Sequence, residues 1–400
     1  MVQSASLRTV LAIVVCFFVA SVEGFDLQAF GVAAPSLVKA LMLTPSQQGM
    51  AASAAMVGLA IGAFVGGWLA DRVGRKPVLT VAVTAFGICS LWTATVSAYE
   101  PLLAARVLAG VGFGAAMPNL IAIASEISSQ AKRGLITSVM FCGIPFGGAC
   151  VALAASLGGS AMDWRTIFVV GGILPLAIVP AILWLLPETL VRHSGKRAPI
   201  LSLLFGEGRA VRTLLLWSVN LLTLIVVYLL LNWLPSLVVA KGFAVTDGAN
   251  AAMAFNVAGV IGAVLIGLSV DRFGYGRAFM AAYIALALSV LGLGYSQTLS
   301  PLVIAAGTAG FLVLGVQYAL YGFSPLLYPS SAKAAGAGAA VAVGRFGSII
   351  GPIVAGELRA AGWSASQVLL AMLPVVIVAG IAAVILVANR GTSATDLKSV

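Results

Sequence analysis

Charged residues are scarce in this sequence of 400 residues, where they make up 8% of the chain against 61% for hydrophobic residues. Soluble domains carry roughly a quarter charged residues, because a surface in water needs them. So few charges cannot cover the water-facing surface of a soluble fold of this size. A surface that faces lipid needs no charges, so the composition indicates a membrane protein.

The side chains that usually build enzyme and metal sites are also sparse. The chain has one histidine, His193, in a basic loop, and its four cysteines lie in apolar stretches without metal-type spacing. No glycine-rich loop follows a strand pattern, which argues against a dinucleotide or phosphate site. We therefore expect neither a cofactor nor a metal, and we do not expect an enzyme.

What the sequence does have is long apolar runs. A membrane-spanning helix needs roughly 20 apolar residues, and a window of about 19 residues finds such stretches. The window predicts an all-α polytopic membrane protein with twelve spans. These are residues 9–36, 47–70, 77–97, 100–126, 134–158, 165–187, 211–237, 249–270, 277–297, 300–325, 335–359 and 366–389.

The net charge of +10 comes from basic residues that are distributed unevenly among the loops. If the N-terminus is cytoplasmic, the outside loops hold four basic residues, which are Lys39, Arg165, Lys241 and Arg359. Nearly all the others fall inside, and this bias predicts that both termini are cytoplasmic. We expect a multi-pass protein of a bacterial inner membrane, surrounded by lipid, with an uncleaved first helix and no nucleic acid partner.

A polar segment near the middle divides the chain. Residues 188–210 are the longest such segment and are rich in Arg and Lys. We interpret them as a cytoplasmic linker between two bundles of six helices, residues 1–187 and 211–390, with a cytoplasmic tail at 391–400. We expect a monomer.

The two halves share a sequence motif. Asp71-Arg72-Val73-Gly74 follows the second span, and Asp271-Arg272-Phe273-Gly274 follows the eighth, 200 residues later. A repeat of half the chain with six spans in each copy is typical of secondary transporters that work by alternating access.

The loop after the second span has a particular spacing of glycines and charges. Gly66 and Gly67 permit close approach of another helix, and Asp71 can accept hydrogen bonds from a helix N-terminus. The basic residues after Asp71 can pair with Glu126. We predict a conformational latch, although positive charge here could simply fix the topology. The predicted latch comprises Gly67, Asp71, Arg72, Gly74, Arg75, Lys76 and Glu126, with Asp271 and Arg272 in the second half.

These residues resemble a known family. Gly67-x3-Asp71-Arg72-x-Gly74-Arg75-Lys76 resembles the loop signature of the major facilitator superfamily. Arg106-x3-Gly110-x-Gly112-x-Gly114 is similar to its fourth-helix motif, and Pro187-Glu188-Thr189 also fits. The resemblance covers the whole chain and implies the major facilitator fold, with two six-helix bundles.

The first span carries two acids, Glu23 and Asp26, which share one helix face with Phe30, a residue that we predict to contact the substrate. Acids inside a membrane are expensive and therefore functional candidates. Low dielectric favours the neutral carboxyl, so such a group can take up a proton. The alternative is a buried ion pair that only fixes helix packing.

Glu23-Gly24-Phe25-Asp26 resembles the first-helix motif of the aromatic acid:proton symporters of the superfamily. Met117–Ala122 and Ala340–Arg345 are similar to the hydroxyphenylpropionate branch of that family, and Glu23 departs from the Asp of the hydroxybenzoate carriers. The resemblance implies proton-coupled import of a small aromatic carboxylate, such as a hydroxyphenylpropionate or hydroxybenzoate. A proton-coupled exporter of drugs or metabolites on the same fold is the alternative.

Two arginines fall inside predicted spans. We expect Arg106 to pair with Asp26 or Glu23, because the first and fourth helices are neighbours in the superfamily. We predict that Arg345, near the middle of the eleventh span, grips the substrate carboxylate. Either arginine could instead bind backbone carbonyls between helices.

Polar residues in the second half complete the predicted substrate site. Tyr228 and Asn232 lie four residues apart in the seventh span, as do Gln317 and Tyr321 in the tenth, and Asn256 lies in the eighth. By superfamily topology the seventh and tenth helices line the cavity. These groups could bind the substrate or could hydrogen-bond between helices.

Overall fold

The structure is a computed structural model that describes residues 7–127, 133–159, 162–188, 204–206, 209–329 and 332–389. Within these residues the chain is helical and contains no strand. Twelve helices in this described part are long and apolar enough to cross a membrane. The predicted all-α polytopic fold is confirmed. Most of the predicted linker, the tail 391–400 and His193 lie outside the described residues.

The helix ends lie within four residues of the predicted spans. Of the twelve membrane-length helices in the described part of the chain, eleven are single segments, and α12 is broken at Ala371 into two pieces. The bounds are α1 Leu7–Ala40, α2 Pro45–Val73, α3 Arg75–Thr95, α4 Tyr99–Glu126, α5 Arg133–Gly158, α6 Trp164–Leu185, α7 Ala210–Ala240, α8 Val245–Phe273, α9 Tyr275–Tyr295, α10 Leu299–Phe323, α11 Lys333–Ala360 and α12 Ala365–Leu370 with Met372–Ala388.

Local sequence explains where several helices begin and turn. Thr44 caps α2 and Ser364 caps α12, each by a capping box with the glutamine three residues later. Gly74 between α2 and α3 has φ 107°, and Gly274 between α8 and α9 has φ 78°. Only glycine adopts such angles without strain, so the repeated Asp-Arg-x-Gly motif ends in a turn that needs its glycine.

Glycines bring the helices of each half into backbone contact. A Cβ at Gly58 or Gly62 of α2, or at Gly110 of α4, would overlap a carbonyl oxygen of the other helix. In the second half Gly262 of α8 and Gly310 of α10 stand in the same relation. Close packing of this kind drives helix association in membranes.

A second helix pair repeats in the same way. A Cβ at Gly24 of α1 would overlap the backbone of Ile144 in α5. A Cβ at Gly347 of α11 would overlap the carbonyl of Leu221 in α7. The internal repeat seen in the sequence is therefore also present in the packing of each half.

The chain separates into two compact units. Unit 1 consists of Met1–His193 and Asn232–Met253, and unit 2 consists of Ser194–Leu231 and Ala254–Val400. The end of α7 and the start of α8 thus go with unit 1. The domain limits predicted from the sequence, residues 1–187 and 211–390, stay a prediction.

Candidate functional site

Unit 1 contains a buried ion pair between α1 and α4. Asp26 is 0% exposed and Arg106 is 1% exposed. The Nη1 atom of Arg106 lies 3.2 Å from Oδ2 of Asp26, and its Nη2 atom lies 3.5 Å from the Asp26 backbone carbonyl. The guanidinium therefore holds both the side chain and the backbone of Asp26.

Ser90 of α3 is a third member of this group, and the sequence analysis missed it. Its hydroxyl donates to Oδ1 of Asp26 over 2.5 Å and lies 3.0 Å from the Phe168 carbonyl of α6. One hydroxyl hydrogen can satisfy only one of these two acceptors at a time. Serine in a membrane helix commonly bonds its own backbone, so nothing in the sequence marked Ser90.

The backbone of α6 closes the other side of the carboxylate. A Cβ added at Gly171 would lie 3.0 Å from Oδ1 of Asp26 and 3.1 Å from Oγ of Ser90. Such distances are tighter than an ordinary van der Waals contact. Gly171 thus leaves room for Asp26 and Ser90 to meet.

Aromatic rings surround the guanidinium. The Cζ atom of Arg106 lies 5.9 Å from the ring centroid of Phe30 and 5.7 Å from that of Phe168. These distances are within cation–π range. Phe30 is fully buried in the apolar core of unit 1, and its ring lies beside the guanidinium. Its predicted contact with substrate stays a prediction.

Two opposing influences act on the Asp26 carboxyl. Removal from water opposes the ionised form, whereas the Arg106 charge and the Ser90 hydrogen bond stabilise it. Glu23, one helical turn earlier in α1, is also buried at 1% exposure. The protonation of Asp26 therefore depends on its contacts with Arg106 and Ser90, which oppose the effect of burial.

Unit 2 contains a separate polar cluster around Arg345 of α11. The Nη1 atom of Arg345 donates to the Tyr228 hydroxyl of α7 over 3.0 Å. The Tyr321 phenol of α10 lies close enough to interact electrostatically with both. All three side chains are half-buried, unlike the ion pair of unit 1. A guanidinium with partial access can bind a carboxylate.

The other predicted polar residues of the second half are deeply buried. Nε2 of Gln317 donates to Oδ1 of Asn220 over 3.0 Å. Gln317 is 3% exposed and Asn256 is 1% exposed, both in unit 2, and Asn232, in unit 1, is 3% exposed. Asn220 was not predicted, although an amide within the apolar run of α7 is the same signal that marked Asn256.

The predicted latch contains one ion pair. The Nη1 atom of Arg75 pairs with Oε1 of Glu126, joining the start of α3 to the end of α4. The backbone N–H of Arg75 donates to Oε1 of Glu188 over 3.0 Å. Glu188 thus places its negative charge at the N-terminus of α3, where the helix dipole favours it. The role of these contacts as a latch stays a prediction.

The other latch residues are mostly exposed. Arg72 lies over the Trp68 ring at 3.7 Å, and Arg272 lies 5.3 Å from the Phe273 ring centroid. Asp71 and Asp271 are exposed, and Lys76 is half-buried. Among the described residues, the carboxylate found at a helix N-terminus here belongs to Glu188, so the role predicted for Asp71 stays a prediction.

The expectation that Gly67 permits close helix approach is wrong. A Cβ at Gly67 would meet nothing within 4 Å, whereas one at Gly66 would lie against Ala115 of α4. Successive residues of a helix point about 100° apart, so only one of two adjacent glycines can face α4.

The described residues offer no group of three His, Cys, Asp or Glu side chains that could hold a metal ion. The candidate functional residues form one polar cluster in each unit. One is the acid and guanidinium cluster of Asp26, Ser90 and Arg106 in unit 1. The other is the guanidinium, phenol and amide cluster of Tyr228, Gln317, Tyr321, Arg345 and Asn220 in unit 2.

Comparison with known proteins gives full-length relatives. A sequence model of the Major Facilitator Superfamily matches residues 16–327. The chain is 42% identical over 391 residues to the 3-(3-hydroxy-phenyl)propionate transporter of Escherichia coli, covering 97% of the chain and 96% of that protein. It is 33% identical over 385 residues to the gallate transporter of Pseudomonas putida, covering 88% and 86%. It is 32% identical over 398 residues to the 4-hydroxybenzoate transporter of Pseudomonas aeruginosa, covering 90% and 88%.

Solved structures show a similar fold. The crystal structure of a D-xylose-proton symporter matches with a TM-score of 0.76 at 19% identity, covering 96% of this chain and 97% of the other. A bacterial homologue of the human lysosomal transporter Spinster, in an inward-facing and occupied conformation, matches with a TM-score of 0.75 at 15% identity, covering 94% and 96%. At these identities the likeness concerns the fold alone.

Proposed function

Because this chain belongs to the major facilitator superfamily, we propose that it imports a small aromatic carboxylate together with protons. The resemblance found in the sequence is confirmed at the level of the family and of its aromatic acid transporters. The relatives support the substrate class, since gallate, 4-hydroxybenzoate and 3-(3-hydroxyphenyl)propionate are all aromatic carboxylates. The chain is a multi-pass membrane protein. The proposal includes the inner membrane, cytoplasmic termini and a monomer.

The buried pair of Asp26 and Arg106 is the observation that carries the proton coupling. Both side chains are almost inaccessible inside a membrane bundle. A buried ion pair is a weak source of stability, because the desolvation of both charges offsets their attraction. Such a pair needs a reason beyond stability, and carrying a proton provides one.

The cluster around Arg345 is the proposed carboxylate site. A guanidinium offers two parallel N–H donors that match a carboxylate, and its charge persists at every physiological pH. The Tyr228 hydroxyl accepts a hydrogen bond from Nη1 of Arg345 over 3.0 Å, which helps to orient the guanidinium. The phenol faces of Tyr228 and Tyr321 can pack against an aromatic ring.

The proposed cycle is alternating access. Asp26 or Glu23 takes up a proton from outside, the carboxylate binds at Arg345, and both leave to the cytoplasm. One elementary charge that crosses 100 mV is worth about 2.3 kcal/mol. Membrane potential therefore drives uptake of a monoanion only if more than one proton accompanies it.

Uptake in lightly buffered cell suspensions tests this proposal. Addition of 3-(3-hydroxyphenyl)propionate to cells that produce the protein should make the medium more alkaline and should lead to labelled acid inside. A protonophore should abolish the accumulation. Acidification of the medium on addition, or loading that a protonophore increases, would instead identify an exporter. Absence of any transport of aromatic acids would reject the proposal.

A further inference from the structure

The amide of Gln317 is held in one orientation by its neighbour. Asn220 donates its Nδ2 atom to the Leu216 carbonyl over 2.9 Å, and a carbonyl can only accept. The Oδ1 atom of Asn220 must then be the atom that faces Gln317. Gln317 donates a hydrogen bond to this oxygen from its Nε2 atom over 3.0 Å. The assignment of both amides therefore follows from the hydrogen bonds themselves.

This orientation leaves Oε1 of Gln317 as a buried acceptor. No donor in the described part of the chain makes a hydrogen bond to this oxygen, and Gln317 is only 3% exposed to solvent. Buried acceptors are nearly always satisfied in folded proteins. An acceptor left open inside a transporter points to a donor that arrives with the cargo.

The position of the Gln317 Oε1 atom suits the ring end of the proposed aromatic carboxylate. Tyr321 lies one turn further along α10, beside the Gln317 amide, and close enough to Arg345 and Tyr228 to interact with them electrostatically. Four residues of helix correspond to about 6 Å. A path of polar side chains thus leads from the carboxylate-binding guanidinium to the open amide oxygen. Both ends lie in unit 2.

From this geometry we infer that Gln317, oriented by Asn220, accepts a hydrogen bond from a hydroxyl group on the ring of the cargo. The inference rests on the proposed import of an aromatic carboxylate. It assigns Arg345 to the carboxylate and Gln317 to the ring substituent. The site selects rings that carry a hydrogen-bond donor over rings that carry an ether or no substituent.

Competition for uptake by the wild-type protein is the first test. Three acids differ only at the ring: 3-(3-hydroxyphenyl)propionate, 3-(3-methoxyphenyl)propionate and 3-phenylpropionate. The hydroxy acid should inhibit uptake of a labelled aromatic acid at a concentration at least tenfold lower than either of the others. A tenfold ratio corresponds to about 1.4 kcal/mol. Equal inhibition by the hydroxy and methoxy acids would overturn the inference.

The second test replaces the amide with an apolar side chain of similar length. Gln317→Met should reduce the preference for the hydroxy acid over 3-phenylpropionate from tenfold or more to within twofold. Thr308→Val, on the exposed face of α10, is the matched control and should keep the wild-type ratio. A preference retained in Gln317→Met would overturn the inference.

The two tests separate the possible failures. If Gln317→Met does not reach the membrane, the wild-type competition decides alone. If the wild type takes up no aromatic acid, the proposed function fails and the inference falls with it. If it takes up aromatic acids with protons but does not distinguish hydroxyl from methoxy, the inference fails while the proposed function stands.

Discussion

Asp26 and Arg106 depend on each other at the scale of single residues. Each is buried, and each would be an isolated charge without the other. Removal of one member of a buried pair costs roughly 3–5 kcal/mol, because the remaining charge stays uncompensated. The effects of changing them should therefore not add.

Asp26→Asn should lower the thermal unfolding midpoint of the detergent-purified protein by several degrees. The double change Asp26→Asn with Arg106→Gln should recover part of that loss, because no lone charge remains. Asp163→Asn is the control, since Asp163 is an exposed helix cap that Asn can replace. A double variant less stable than either single variant would contradict the pairing.

Arg345→Lys should reduce the uptake of 3-(3-hydroxyphenyl)propionate at least tenfold at low substrate, mainly by raising KM. A lysine keeps the charge but lacks the planar fork that matches a carboxylate. Arg359→Lys on the same helix is the control, because Arg359 donates to the Trp363 carbonyl at an exposed position. Initial rates of labelled uptake, corrected for the amount of protein in the membrane, measure the effect. An unchanged KM would remove Arg345 from the carboxylate site.

The sequence predicted part of this chemistry and missed part, for physical reasons. An acid or an arginine in an apolar span is costly, so Asp26, Arg106 and Arg345 were visible as exceptions. Ser90 and Gly171 carry no such cost, since both are ordinary in membrane helices. Their importance comes from the packing of α3 and α6 around Asp26, which appears only when the helices are placed.

At the scale of helices, the sequence predicted where each helix begins and ends but not which of its faces contacts another helix. Apolar length places each span within four residues, because lipid thickness limits the length of a helix. Which face of a span meets another helix is harder to predict. Gly66 and Gly67 are adjacent, yet a Cβ at Gly66 would meet α4 and a Cβ at Gly67 would not.

Two glycines of α8 provide a matched test of helix contact. Gly262→Ala should lower the thermal unfolding midpoint, because its Cβ would overlap the Phe311 carbonyl of α10 and force the helices apart. Gly267→Ala should leave the midpoint unchanged or raise it slightly, because that position faces open space and alanine favours the helix. Light-scattering or fluorescence melts of both variants measure this difference. Equal midpoints would show that α8 and α10 are not packed through Gly262.

At the scale of the whole molecule, transport needs contacts that can break and reform. We propose the ion pair of Arg75 and Glu126 as such a contact, because its side chains keep 15% and 24% of their surface exposed. Partly exposed pairs contribute about 1 kcal/mol or less to stability. The pair can therefore affect a conformational equilibrium without holding the fold together.

Glu126→Gln should slow uptake severalfold and should change the thermal unfolding midpoint little. Glu100→Gln, exposed in the first turn of the same helix, should leave both unchanged. A charge exchange, Arg75→Glu with Glu126→Arg, should restore part of the lost rate. If Glu126→Gln transports at the wild-type rate, the pair only fixes the structure of the loop.

Accumulation in proteoliposomes under an imposed pH gradient tests proton coupling through Asp26 most directly. The wild-type protein should concentrate labelled 3-(3-hydroxyphenyl)propionate inside when the outside is acidic. Asp26→Asn should fail to concentrate it, yet should still exchange internal unlabelled acid for external labelled acid, which shows that the protein is folded and binds the acid. Gradient-driven accumulation by Asp26→Asn at the wild-type level would contradict the role of Asp26 in proton coupling.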